Sequence, residues 1–414
     1  MTQWTPEWNL TINGGGNYTN LTLANLSITS GRTDIYSQPY AGFCNIDIIN
    51  LDQSPIVIDI NDQVTIQVKD STGTYVNLFG GFVTDIDLEV TGAGTNNISE
   101  RMRVVALGAL SKLPKTLTPG VLSKDFDGNQ IYTILSSILP GNWNEVPPAL
   151  TWATYDPATT WLLADNPALG TIDRPGNYEL ALRASQITDV YSLISALATS
   201  GLGYLFEDGY GRISYADSDH RLDYLATNGY TEVSANTALA RGIRTQKRAG
   251  DVRNEVTIFY RNNNFTSATD LESTAIYGPQ QYQITTSLHN LVDAEEQADF
   301  YLGLRAFPEA QFKQITFQLA NPEIDNIDRD ALLNVFMGLP IDITNLPSNI
   351  TNGKFQGFVE GWTLQAGYNS LTITLTISPI SYSIITTRWE QVLAAETWNT
   401  LSATLEWIDA TIVA

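Results

Sequence analysis

Thiol chemistry is nearly absent from this chain, which carries a single cysteine, Cys44, in 414 residues. No disulfide can therefore form within it. Cys44 lies in the apolar run from Phe43 to Ile49 and reads as a small core residue. Histidine is almost as scarce: there are two, His220 and His289, and neither has a second histidine or a cysteine at metal-ligand spacing. Basic residues number 22 against 44 acidic ones, for a net charge of −22. A protein that grips nucleic acid needs basic clusters to displace counterions from phosphate. The densest such group, Arg241, Arg244, Lys247, Arg248 and Arg253, borders a strand and reads as surface charge or as the partner of a neighbouring acidic chain. No apolar run approaches the roughly 18 residues that span a membrane. No basic-then-apolar start resembles a secretion signal. The expectation is a soluble protein made in a reducing cytoplasm, with no membrane segment.

Recognisable reaction chemistry is missing too. There is no nucleophile elbow, Gly-rich phosphate loop or zinc-protease helix. The acidic stretches Asp125-Phe126-Asp127-Gly128-Asn129 and Asp325-Asn326-Ile327-Asp328-Arg329-Asp330 could attract calcium. Neither has the alternating ligand loop with its closing Glu, and turns or helix caps explain them better. The expectation is no catalytic residue, no cofactor and no metal.

What is present is β-forming. Apolar residues make up 43 % of the chain and charged ones 16 %, enough to build cores and too little charge for disorder. Val64, Ile66 and Val68 alternate with polar neighbours, as do Ile86, Leu88 and Val90, and later Leu371, Ile373, Leu375 and Ile377. Each pattern predicts a strand with one wet face. Between them Ile131, Ile134, Leu135, Ile138 and Leu139 keep helical spacing up to Pro140-Gly141. Val190, Leu193, Ile194 and Leu197 do so up to Gly201. Tyr204 to Tyr215 reads as a hairpin around Asp208-Gly209-Tyr210-Gly211, and residues 141–178 read as a long irregular connection. A further helix is expected from Ala294 to Arg305, capped by Asp293 with Glu296 three residues on. The division read from these signals is 1–115 β, 116–230 α/β, 231–382 β with a helical insertion near 266–310, and a C-terminal arm over 383–414.

The most informative feature is an internal repeat. Phe79-Gly80-Gly81-Phe82-Val83-Thr84-Asp85-Ile86-Asp87-Leu88 returns as Phe355-Gln356-Gly357-Phe358-Val359-Glu360-Gly361-Trp362-Thr363-Leu364. Phe79, Gly81, Phe82, Val83 and Leu88 match Phe355, Gly357, Phe358, Val359 and Leu364. An alternating strand follows each copy. Each reads as the same hairpin, with the shared glycine at a bend or bulge where a side chain would clash. Two copies make two similar units around an unrelated one, not a solenoid.

The pattern resembles the tail-hub family of long-tailed phages, which includes the baseplate hub of contractile tails and the minor tail proteins of siphophages. The resemblance lies in Gly31-Arg32 to Asn50 with Asp62-Gln63-Val64-Thr65-Ile66 and Leu78 to Val83. It continues in Gly203 to Ile213 after the middle helix, and in Phe355 to Leu364 with its strand. It covers most of residues 20–380 through degenerate motifs. It implies a mainly β chain with two tail-tube-like β-barrel or sandwich domains separated by a small α/β domain. It also implies a homotrimeric ring that adapts a six-fold tube to a three-fold tip and surrounds the DNA channel. The implied partners are a distal tail protein or tail tube, the tape measure protein and other tail-tip proteins, with DNA only in transit. The implied place is the virion tail tip, after synthesis in the bacterial host cytoplasm. The Pro- and Trp-rich connection and the C-terminal arm depart from the pattern. In that arm Trp389, Trp398 and Trp407 recur every nine residues and are expected to be buried, either against the chain's own barrel or as an anchor on a neighbouring tail protein or subunit. A carbohydrate-binding adhesin, suggested by nine tryptophans on a β-rich chain, and a tail-associated peptidoglycan hydrolase are the alternatives. Neither explains the paired hairpins.

Overall fold

The computed structural model describes residues 4–13, 16–17, 22–35, 37–50, 57–91, 99–139, 141, 143–146, 163–239, 243–261, 263–308, 311–348, 353–367 and 370–380. The first alternating stretches form strands β1 Trp8–Ile12, β2 Gly16–Asn17, β3 Thr22–Gly31, β4 Phe43–Asn50, β5 Gln63–Lys69, β6 Tyr75–Thr91 and β7 Ser99–Leu107. The middle of the chain follows with α1 Asp127–Ile138, then β8 Asn144–Val146, β9 Leu163–Asn166 and β10 Gly170–Asp173, then α2 Val190–Ser200, β11 Tyr204–Glu207, β12 Ile213–Ala216 and α3 His220–Asn228. The remainder is β13 Thr231–Ser234, β14 Arg244–Gln246, β15 Glu255–Tyr260, β16 Asn264–Thr269, α4 Leu271–Tyr277, β17 Gln281–Thr285, α5 Leu291–Arg305, β18 Gln311–Gln318, α6 Asn326–Leu333, β19 Pro340–Thr344, β20 Phe355–Gly367 and β21 Ser370–Pro379.

Thirteen of these strands make one sheet. Its main path runs β14-β18-β21-β20-β3-β4-β7-β6-β5-β1-β2, with β19 beside β20 and β13 beside β19. The two β regions of the sequence are thus halves of a single sheet. They share one core, in which Ile28, Ile46, Ile66 and Val104 of the first half lie with Phe317, Ile343, Leu364 and Leu375 of the second. A period of two places these side chains on one face of the strands and their polar neighbours on the other.

The middle of the chain builds a second core. Its five-stranded sheet, in the order β8-β9-β10-β12-β11, packs with α1 and α2 through Ile131, Leu135, Ile172, Ile194 and Leu205. Residues 163–173 are a hairpin of this sheet rather than irregular connection. Its turn is set by Asn166, whose Oδ1 accepts from the amides of Ala168 at 2.8 Å and Leu169 at 3.1 Å. Polar turn residues hid a hairpin too short to alternate visibly. The alternating Val256 and Ile258 belong to the three-stranded sheet β16-β15-β17, whose core side joins the middle core along with Ala294 and Ala298 of α5. Helix α5 begins at Leu291 with Asn290 as its N-cap, earlier than the expected Asp293, and Asn290 Nδ2 donates to the Asp293 carboxylate at 3.2 Å. The C-terminal arm with Trp389, Trp398 and Trp407 lies outside the described residues.

Candidate assembly interface

The repeated segments occupy matching places in the sheet. In the first copy β6 pairs with β5 so that Phe82 faces Gln63 and Phe79 faces Ile66. In the second, β20 pairs with β19 so that Phe358 faces Pro340 and Phe355 faces Ile343. On the other edge Phe82 faces Leu107 and Phe358 faces Ser378. Each copy then carries one bulged residue at the same offset, Thr84 after Val83 and Glu360 after Val359. A bulge bends its strand and raises the local twist, so both halves curl at the same point. The shared glycine has the same cause in both. A Cβ on Gly81 would stand 2.5 Å from the Leu107 carbonyl oxygen and 2.7 Å from the Phe79 ring. On Gly357 it would stand 2.1 Å from the Ser378 oxygen and 2.9 Å from the Phe355 ring. Each repeated Phe also meets a cation: Lys112 Nζ lies 3.1 Å from the Phe82 ring centre, and the Arg221 guanidinium 5.2 Å from that of Phe358. Val83 and Val359 are buried in the common core.

The copies differ at their second residue for a local reason. Gly80 receives the backbone of the Tyr210-Gly211 turn, which a Cβ would meet at 2.4 Å. Gln356 takes that place in the second copy and donates to Asp342 at 3.1 Å.

Where the halves meet, β20 pairs antiparallel with β3, from Gly361 opposite Gly31 to Ala366 opposite Leu26. The bulged Glu360 anchors this seam. Its carboxylate accepts from Arg32 Nε at 2.7 Å, from Arg221 Nη1 at 2.8 Å and Nη2 at 3.0 Å, and from Ser378 Oγ at 2.6 Å. Its carbonyl accepts from the Arg32 amide at 2.8 Å. Glu360, Arg32 and Arg221 are all buried. Burial alone would raise the carboxyl's pKa, but the guanidinium groups of Arg221 and Arg32 and the hydrogen bonds from Arg221 and Ser378 outweigh it and hold the group at about 2. Gly31 has φ +84°, and a Cβ there would lie 2.3 Å from the Glu360 oxygen. The seam therefore requires glycine at that position. No spacing in the sequence announces this cluster, since Arg32 and Glu360 are separated by 328 positions.

The face of the sheet turned away from the core is rich in hydroxyl and amide groups. Thr29 of β3 meets Thr363 of β20 at 3.5 Å, and Thr316 of β18 meets Thr374 of β21 at 2.9 Å. In the first half this face carries paired charge. Arg101 donates to Asp47 at 2.8 Å and Arg103 to Asn45 at 2.9 Å. In register on the far side of β7, Glu89 lies opposite Arg101 and Asp87 opposite Arg103. These residues line a shallow depression of about 290 Å³.

Other buried polar groups fasten the middle unit. The Glu207 carboxylate accepts from the amides of Gly42 and Leu110 and is pushed up to about 7, chiefly by burial. Asp127 is likewise pushed up to about 7 by burial, opposed by hydrogen bonds from the Tyr215 hydroxyl and the Tyr178 amide. His220 Nδ1 lies 2.7 Å from Asp173. Asp325 caps α6 through the Asp328 amide at 2.7 Å, and Asp125 Oδ1 accepts from Phe126 and Asn129 at its own turn. No group of side chains suited to hold a metal occurs among the described residues. No helix among the described residues is long and apolar enough to cross a membrane.

This curled, mainly β architecture with a docked α/β unit is the fold of phage tail proteins. One match is the 43 kDa tail protein of prophage MuSo2 from Shewanella oneidensis, with a TM-score of 0.57 and 11 % identity over 91 % of this chain and 100 % of that one. The tail protein from Neisseria meningitidis MC58 matches with a TM-score of 0.58 and 11 % identity over 92 % of this chain and 98 % of that one. No family model and no curated protein matches the chain.

Proposed function

We propose that the chain is a structural hub of a phage tail tip, in which three copies close a ring around the DNA channel. The observation that carries this reading is the duplication inside one sheet: two halves with the same strand order, the same bulge and the same glycine contact. Three copies of two similar halves present six similar units, which matches a six-fold tube to a three-fold tip. Each half serves as a tube-like β domain, and the α/β unit lies outside the ring. The polar face of the sheet lines the channel. Its threonine and amide groups, on a chain of net charge −22, give DNA little to bind in passing. The partners are a distal tail protein or tail tube, the tape measure protein and other tip proteins, and the role involves no catalysis. A tag on the full chain, located by electron microscopy in assembled tails, should mark one ring at the tip. Label distributed along the tube would refute the hub.

A further inference from the structure

The seam inside the chain has a counterpart that the single chain leaves open. Superposing the halves by their pairing registers sets β3 on β14, β4 on β18, β7 on β21, β6 on β20 and β5 on β19. In the second half, β20 gives its outer edge first to β19 and then, beyond the bulge, to β3. In the first half, β6 gives the matching edge to β5. Beyond the bulge, from Asp85 to Thr91, that edge has no partner strand among the described residues. The strand that matches β3 is β14, which ends the sheet and pairs on one side alone among the described residues.

Burial tells the same story. Leu364 and Ala366 are 1 % and 3 % exposed at the seam, whereas their counterparts Leu88 and Val90 are 52 % and 55 % exposed. An edge strand with exposed apolar side chains is a template for another strand. The charges on the two open edges are complementary. Asp85, Asp87 and Glu89 lie along β6, while Arg244, Lys247 and Arg248 lie in and just after β14.

We infer that β14 of one copy adds antiparallel to the outer half of β6 of the next copy, in the register of the internal seam. This inference rests on the ring reading above and gives that ring its contact. The seam pairs Gly31 with Gly361, Ser30 with Trp362 and Thr29 with Thr363. Their counterparts place Lys247 opposite Asp85, Gln246 opposite Ile86 and Thr245 opposite Asp87. An irregularity between Arg244 and Thr245 brings Arg244 alongside Leu88 and Glu89. Leu88 and Val90 are covered by the neighbouring copy, as Leu364 and Ala366 are covered within the chain. Repeated around the ring, the contact continues the sheet from chain to chain and leaves neither of these two edges open.

The test is disulfide capture in the full chain carrying both Thr245→Cys and Asp87→Cys. The two positions lie on strands separated by six others in one chain's sheet, so a bond between them links copies. Under mild oxidation the double variant should form covalent trimers on non-reducing gels, and each single variant should form none. Charge reversal at Arg244 and Lys247 to Glu should weaken the trimer at least tenfold in dissociation constant, with strength restored by Asp85→Lys and Asp87→Lys. A trimer seen by sedimentation that never cross-links at this pair would overturn the inference and leave the ring standing. A chain that stays monomeric at high concentration and in tail particles would overturn the ring itself.

Discussion

Removing the charge of Glu360 tests how the halves are joined. In the Glu360→Gln variant two buried guanidinium groups, those of Arg32 and Arg221, lose their counter-charge while the side chain keeps its shape. Breaking a buried pair on one side costs about 3–5 kcal/mol, because the remaining charge is left uncompensated. The pKa gives a similar size: a carboxyl held at about 2 instead of its ordinary 4.5 carries roughly 3 kcal/mol of native-state preference. The sign follows from the lowered pKa. The contribution is complete above about pH 4.5 and is lost as pH falls toward 2. The variant should melt several degrees lower at pH 7 and should lose less stability than the parent between pH 4.5 and 2. Hydrogen exchange should locate the damage, with amides of β3 and β20 exchanging faster and those of α1 and α2 unchanged. Unaltered melting and seam exchange in Glu360→Gln would refute the claim that this cluster holds the seam.

Four further outcomes follow from the geometry. Gly357→Ala and Gly81→Ala should each destabilise by about 1–3 kcal/mol, since a Cβ has nowhere to go. Gly250→Ala, with nothing within 4 Å, should melt like the parent, and equal melting of all three would discount the packing argument. Gly31→Ala should disrupt the seam more than either repeat glycine, because it adds a positive φ to a 2.3 Å contact; preserved seam exchange would contradict this. Asp127 and Glu207, both raised to about 7, favour the native state fully below their unfolded values, and that advantage fades as pH rises through 7. Asp127→Asn should therefore flatten the loss of stability between about pH 4 and 7, and an unchanged profile would show that the carboxyl is not buried as described. The purified chain should not retain duplex DNA on filters at low salt, where phosphate binding is strongest; strong, salt-sensitive retention would contradict a sliding channel.

Much of this architecture is legible in the sequence because repeats and periodicity are local signals. The alternation of Leu371 to Ile377 marks β21, and α2 is fixed by the spacing of Val190, Leu193, Ile194 and Leu197 and by its stop at Gly201. The two Phe-x-Gly-Phe-Val segments mark hairpins whose partners, register and bulge then match in space. What could not be read is non-local. That β3 and β20 join the halves into one sheet depends on backbone pairing, which leaves no residue signature. Arg32, Arg221 and Glu360 meet through three distant elements and look like ordinary surface charges along the chain. The strand containing Val256 and Ile258 is visible as a strand, but its packing on the middle unit depends on which core covers its apolar face. The basic group around Arg244 is legible along the chain; its complement, Asp85, Asp87 and Glu89, becomes one only through the equivalence of the two halves in space.

The proposed ring requires that two equivalent halves per chain close a circle of three chains. Electron images of the purified full chain at high concentration, with native mass measured on the same sample, test it most directly. A closed ring with an axial opening, three-fold symmetry and six similar β lobes is expected, at three times the 45.5 kDa chain mass. A monomer, a two-fold dimer or an open filament at that concentration would contradict it.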